Sequence, residues 1–156
     1  MSLLPLKRTS ILSGECRTES VEFATAIHYY FIIKMPRKDS ILKLKTEAFA
    51  FRITKLYKYL IRQKESVISK QIYRSGTSIG ANVAESINAQ SPADFISKLS
   101  IALKEANETE YWLKTLYQGK YIDEIGFQSM FNDNEEIIKI LVKSIKTIKK
   151  RESNDE

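Results

Sequence analysis

The sequence predicts an all-α protein: an up-down-up-down antiparallel four-helix bundle. Three observations carry that reading. First, the chain has 5 Gly and 3 Pro in 156 residues, too few for an all-β fold, which turns about every 8–12 residues. Second, beyond Met35 apolar residues recur at steps of three and four through four long segments, the spacing of one helix face. Third, the linkers between those segments are short, so consecutive helices lie as antiparallel neighbours. With 43% apolar residues, a single domain of this length buries a core of its own.

Residues 1–34 stand apart from this pattern. They lack a period up to Ser20 and then carry an aromatic-aliphatic run over residues 23–33. Glu15, Glu19 and Glu22 precede that run, where a secretory leader would be basic. Glu15 also interrupts the only stretch similar to a lipoprotein processing site, the one ending at Cys16. Because strong periodicity begins just after Met35, the expectation is that Met35 is the physiological start and residues 1–34 an upstream extension. The alternative is a poorly ordered N-terminal extension. The bundle is then expected over residues 35–151, followed by an acidic tail at 152–156.

The first helix is expected over residues 41–62. Leu42, Phe49, Ile53, Leu56 and Leu60 form one stripe, and Ala50, Tyr57 and Ile61 a second beside it. Together they are wider than a helix of a small monomeric bundle needs. Either the helix is deeply buried in its own chain or part of it covers another subunit.

The second helix is expected over residues 67–88. Ile68, Ile72, Ile79, Val83 and Ile87 share a face with Ser75 in the gap, and Gly76, Thr77, Gly80, Ala81 and Ala84 make the opposite side small. Glycine inside a helix costs about 1 kcal/mol relative to alanine. The compensation expected at Gly76, Gly80 and Ala84 is close approach of a neighbouring helix.

The third helix, residues 92–118, has the clearest start: Ser91 as N-cap, Pro92 at the first turn and Asp94 three residues after the cap. Phe95, Leu99, Ala102, Ala106, Thr109, Leu113 and Leu116 follow at alternating steps of 4 and 3, a bundle seam. Gly119 is the expected terminator. The fourth helix, residues 124–150, is expected to turn Phe127, Phe131, Asn134, Ile138, Leu141, Ile145 and Ile148 inward. Its C-terminus carries Lys146, Lys149, Lys150 and Arg151, cations that the helix dipole favours there.

Composition excludes several function classes. Cys16 is the only cysteine and His28 the only histidine, so there is no disulfide framework and no Cys-rich or His-based metal site. A reducing cytoplasm is the expected compartment. No apolar run reaches the length of a membrane span. Gly76 and Gly80 lie inside a helical period rather than in a phosphate-binding loop, and no serine has a histidine base near it in the periodic region. The expectation is a non-enzymatic protein without cofactor, metal or small-molecule substrate.

The net charge of +6 is a sum of opposing blocks. Residues 37–74 hold 11 Lys and Arg against 3 Asp and Glu, and residues 75–138 hold 4 against 10. Arg52, Lys55, Lys58 and Arg62 recur at steps of 3, 3 and 4 on the first helix, and Lys70 and Arg74 open the second. Such a basic stripe suits phosphate contacts that give affinity without base specificity. Tyr57, Tyr59 and Tyr73 lie among these cations and suit stacking on unpaired bases. The competing reading is a solvated face, or ion pairs to the acidic third helix across a subunit boundary.

Arg74, Ser78, Asn82 and Glu85 form a polar stripe on the second helix, with Glu105 and Glu108 expected to face it from the third. A di-iron site would need Glu-x-x-His on two helices, and no histidine follows residue 28. A hydrogen-bonded polar layer that sets helix register is the better account.

Two runs resemble a known family. Arg74-Ser75-Gly76-Thr77-Ser78-Ile79-Gly80-Ala81-Asn82-Val83-Ala84-Glu85, then Asp94-Phe95-Ile96-Ser97-Lys98-Leu99 through Glu105-Ala106, are similar to the bacterial four helix bundle proteins of the S23 type. These were first noticed as reading frames in intervening sequences of 23S rRNA genes. Ala48-Phe49-Ala50-Phe51-Arg52-Ile53, Lys55-Leu56-Tyr57, Glu108, Trp112 and Leu113 continue the resemblance, which spans residues 35–150. Ser86 departs from it where many members have Gly or Ala. The resemblance implies a compact bundle assembling into a ring, a homopentamer, without enzymatic activity. It also implies kinship with the accessory protein of diversity-generating retroelements, which binds a reverse transcriptase and nucleic acid. The expected partners are RNA or DNA or, in the alternative of a protein-protein adaptor with no direct nucleic-acid role, a reverse transcriptase or another protein.

Overall fold

The computed structural model describes residues 40–152. The expectations concerning residues 1–34, Met35, Cys16, His28 and the tail beyond Glu152 lie outside the described residues. Among the described residues the protein is all-α, with four helices and no strand. These are α1 (Ile41–Arg62), α2 (Ile68–Ser86), α3 (Pro92–Gln118) and α4 (Glu124–Glu152). α1 and α3 have the expected bounds, while α2 is shorter at both ends and α4 runs two residues further.

Side chains near the helix starts account for these bounds. The Ser40 hydroxyl accepts from the Lys43 N–H at 3.2 Å, and Ser91 Oγ from the Asp94 N–H at 3.1 Å, as N-caps do. Asp94 Oδ2 reaches back to the Gln90 N–H at 3.1 Å. α2 lacks a capping side chain at Val67. Instead the buried Glu65 carboxylate accepts from the N–H groups of Val67, Ile68 and Ser69 at 2.9, 2.8 and 2.5 Å. Asp123 Oδ1 accepts from the Gly126 N–H at 2.7 Å and caps α4.

Lysines in a left-handed conformation close α1 and α3, although Gly119 was the expected terminator of α3. Gly119 has φ −74°, whereas Lys64 and Lys120, just past α1 and α3, adopt φ 61° and 59°. That left-handed turn lets the Glu65 and Tyr121 N–H groups reach the carbonyls of Leu60 and Leu116, the closure usually given to glycine.

Each helix packs on the next, and α4 meets α1 over the smallest interface. Residue pairs across every interface run in opposite chain order. On α2, Gly76 faces Ile53 and Gly80 faces Thr46 of α1. Ser75 and Glu85 of α2 bond Thr109 and Lys98 of α3. Tyr117 of α3 stacks on Phe127 of α4 at 4.6 Å, and Asn134 of α4 donates to the Ala106 carbonyl at 3.0 Å.

The core takes Leu42, Phe49, Ile53 and Leu60 from α1 and Ile72, Ile79 and Val83 from α2. All seven residues expected on the α3 seam are buried. Each large side chain among them contributes about 1.5–3 kcal/mol through removal from water. α4 is rotated from the expected phase: Met130 and Ile137 are buried with Asn134, Leu141 and Ile145. Phe127, Phe131, Ile138 and Ile148 are only half-buried. The two phenylalanines find partners at the rim: Phe127 stacks on Tyr117, and Phe131 packs beside Phe127 and beneath the Lys114 ammonium.

Candidate nucleic-acid interface

The six cations of the expected basic face have different fates. Arg52 turns toward α4, where its guanidinium pairs with Asp133 and donates to Ser129 Oγ at 2.8 Å. Arg74 donates to Glu108 Oε1 at 2.8 Å, across to α3. Lys55 lies over the Phe51 ring at 4.6 Å. Lys58, Arg62 and Lys70 are exposed, and among the described residues they and Lys55 have no ion-pair partner. An ion pair already satisfies a cation, so those four are the ones left for an outside anion.

The polar stripe of α2 divides in the same way. Arg74 and Glu85 pair with Glu108 and Lys98, tying α2 to α3 at the surface. The Glu85 carboxylate raises the Lys98 pKa above the ordinary lysine value. Asn82 Nδ2 donates to the Ser78 carbonyl one turn back, at 2.9 Å. Trp112 Nε1 donates to Glu108 at 3.2 Å. Glu105 lies beside this group with Oε2 buried and unbonded. Burial, then the charge of Glu108, pushes its carboxyl up; Arg74 opposes them.

Polar groups that do bond across the interior sit elsewhere: Ser75 with Thr109, and Asn134 with the Ala106 carbonyl, while Thr46, equally buried, bonds the Lys43 carbonyl of its own helix. They occupy core positions of the apolar stripes, so periodicity was the signal for them. Gly76 and Gly80 face α1, and Ala84 is exposed.

Sequence reasoning missed the far turn. Two adjoining clefts of about 550 and 530 Å³ lie where α1 meets the α3–α4 turn, sharing Tyr59, Ile122 and Asp123. Lys55 lines one, and Tyr117, Lys120 and Tyr121 the other. Tyr117, Lys120 and Tyr121 sit outside the basic block, which is why charge alone did not single them out. Among the described residues no three metal-ligating side chains converge, and no helix is long and apolar enough to cross a membrane.

The comparisons agree with this architecture. No functionally curated protein matches the chain. A crystal structure of a protein of unknown function from the S23 ribosomal protein family of Bacteroides thetaiotaomicron is 58% identical, with a TM-score of 0.68. The match covers 68% of this chain and 99% of that one. The family described as 23S rRNA-intervening sequence protein matches residues 38–143. At that coverage and identity, this chain belongs to the 23S rRNA-intervening sequence protein family.

Proposed function

We propose that the protein is a non-enzymatic, cytoplasmic scaffold that binds RNA or DNA through its basic face. Its four helices make an up-down-up-down bundle, a reading supported by the opposite chain order of residue pairs across each helix interface. A ring of copies, a homopentamer as the family resemblance implies, is supported by the apolar outer face of α1, where Ile41, Leu44 and Phe51 are 66, 54 and 62% exposed. A ring repeats a modest cationic patch and raises its effective strength by multivalency.

The observation that carries the nucleic-acid reading is the set of cations Lys55, Lys58, Arg62 and Lys70, without an ion-pair partner among the described residues, on adjoining stretches of α1 and α2. Phosphate contacts of this kind release counterions, so affinity falls steeply with salt. The test is light scattering with and without a mixed RNA and DNA oligonucleotide pool, at about 50 and about 200 mM salt. A salt-sensitive rise in particle mass is the expected result. A second reading, an adaptor for a reverse transcriptase or another protein, is favoured by the exposed Phe51 and Leu44. It predicts no response to the pool.

A further inference from the structure

All six tyrosines of the described residues lie in one half of the molecule, the half that carries the α1–α2 and α3–α4 turns. Tyr57 of α1 and Tyr73 of α2 stand 4.8 Å apart, ring centroid to centroid. Tyr59 borders the same cleft as Tyr117 and Tyr121, and Tyr117 stacks nearly parallel on Phe127. Tyr59, Tyr73, Tyr117 and Tyr121 are each more than a third exposed.

Cations that have no ion-pair partner among the described residues accompany these rings. They are Lys55, Lys58, Arg62, Lys64, Lys70 and Lys120. The carboxylates near them are mostly engaged. Glu65 caps α2, Asp123 caps α4, Glu108 holds Arg74, and Glu110 holds Lys114. Asp123, which lines both clefts, and Glu124, in the first turn of α4, are the exposed carboxylates beside them among the described residues. The opposite half carries cations too, among them Lys146 and Lys149 toward the end of α4, but no tyrosine among the described residues.

A duplex offers such a surface phosphates and groove edges but no free base face, because its bases are stacked inside. An unpaired strand offers phosphates and base faces together, which cations and exposed rings take up side by side. We infer that the tyrosine-bearing half of the molecule is a platform for single-stranded nucleic acid, with Tyr59 and Tyr121 stacking on bases and Lys58, Arg62 and Lys120 holding the strand's phosphates. This rests on the nucleic-acid reading above and narrows it to unpaired strands.

The test is fluorescence anisotropy of the full chain with a short mixed-sequence strand and with the blunt duplex of the same length. Wild-type protein is compared with Tyr59→Leu/Tyr121→Leu, whose helix content and unfolding midpoint are checked first. The strand should bind about tenfold tighter than the duplex, and the double variant should lose about that factor for the strand alone. Equal binding of strand and duplex, unaffected by the tyrosine changes, would overturn the platform and leave the phosphate reading standing. Binding of neither would overturn both. Photo-crosslinking from brominated bases should mark peptides holding Tyr59, Tyr117 or Tyr121; crosslinks confined to the end of α4 would refute the assignment.

Discussion

Thr109 Oγ1 and Ser75 Oγ share a hydrogen bond 2.9 Å long where neither residue has any exposed surface. The bond joins α2 to α3 at one register. Thr109 also bonds the Glu105 carbonyl one turn back, at 2.8 Å, so the pair is anchored in the helix backbone. Thr109→Val keeps the shape and removes the bond, and should cost about 1 kcal/mol in urea unfolding. A double-mutant cycle with Ser75→Ala should give a coupling of about 0.5 kcal/mol or more. Strict additivity would show that the bond contributes nothing to register.

The two helix glycines should respond oppositely to alanine. A Cβ on Gly76 would lie 2.7 Å from Ile53 Cγ1 and 2.8 Å from Cδ1, and Ile53 is fully buried. Overpacking there should destabilise by about 1–3 kcal/mol. On Gly80 the nearest atom is the Thr46 carbonyl oxygen at 3.4 Å. Gly80→Ala should be neutral, or stabilising by up to about 1 kcal/mol from helix propensity. Thermal or urea unfolding of the two variants checks the contrast.

Glu65 makes the start of α2 sensitive to acid. Burial alone would raise its pKa, but hydrogen bonds from the Ile68, Ser69 and Val67 N–H groups outweigh burial and hold it below the ordinary glutamate value. Its folded pKa thus lies below its unfolded one. The contribution to stability is complete above the unfolded value and is lost as pH falls through the folded value. Glu65→Gln should cost about 1–2 kcal/mol at neutral pH. The difference from wild type should shrink as the medium becomes more acidic than the glutamate range. A pH-independent difference would refute the cap.

Paired and unpaired cations should separate in mutation. Arg52→Gln removes bonds to Asp133 and Ser129 across the small α1–α4 interface, so it should lower the unfolding midpoint. Lys58→Gln and Arg62→Gln should leave that midpoint unchanged. Each should reduce the slope of log affinity against log salt by about 1 and weaken binding to all sequences alike. Oligonucleotide titrations across a salt series, beside unfolding curves, read both effects.

Where one apolar stripe dominates, its phase was legible from spacing. α3 is the example, with Phe95 through Leu116 buried as expected. α4 offers two phases that share Asn134, Leu141 and Ile145. Larger side chains favoured Phe127 and Phe131 in the core, yet Tyr117 and Lys114 hold them at the rim. The start of α2 was hidden for another reason. Its cap comes from Glu65, two residues before the usual N-cap position, and becomes visible only when the turn brings that carboxylate onto three N–H groups.

The basic block on α1 and α2 was evident in composition, but local charge does not reveal which cations are already spoken for. Arg52 and Arg74 share helix faces with Lys55, Lys58 and Lys70, and they differ only because Asp133 and Glu108 arrive from distant segments. Tyr117 and Tyr121 likewise join Tyr59 through packing of the α3–α4 turn against α1. The sequence by itself determined the four helices and most of their inward faces, since helical periodicity and capping act within a few residues. Tertiary structure alone decided the rotation of α4, the partners of the charges and the gathering of tyrosines at one end. Those depend on side chains brought together from far apart in the chain, which no local spacing encodes.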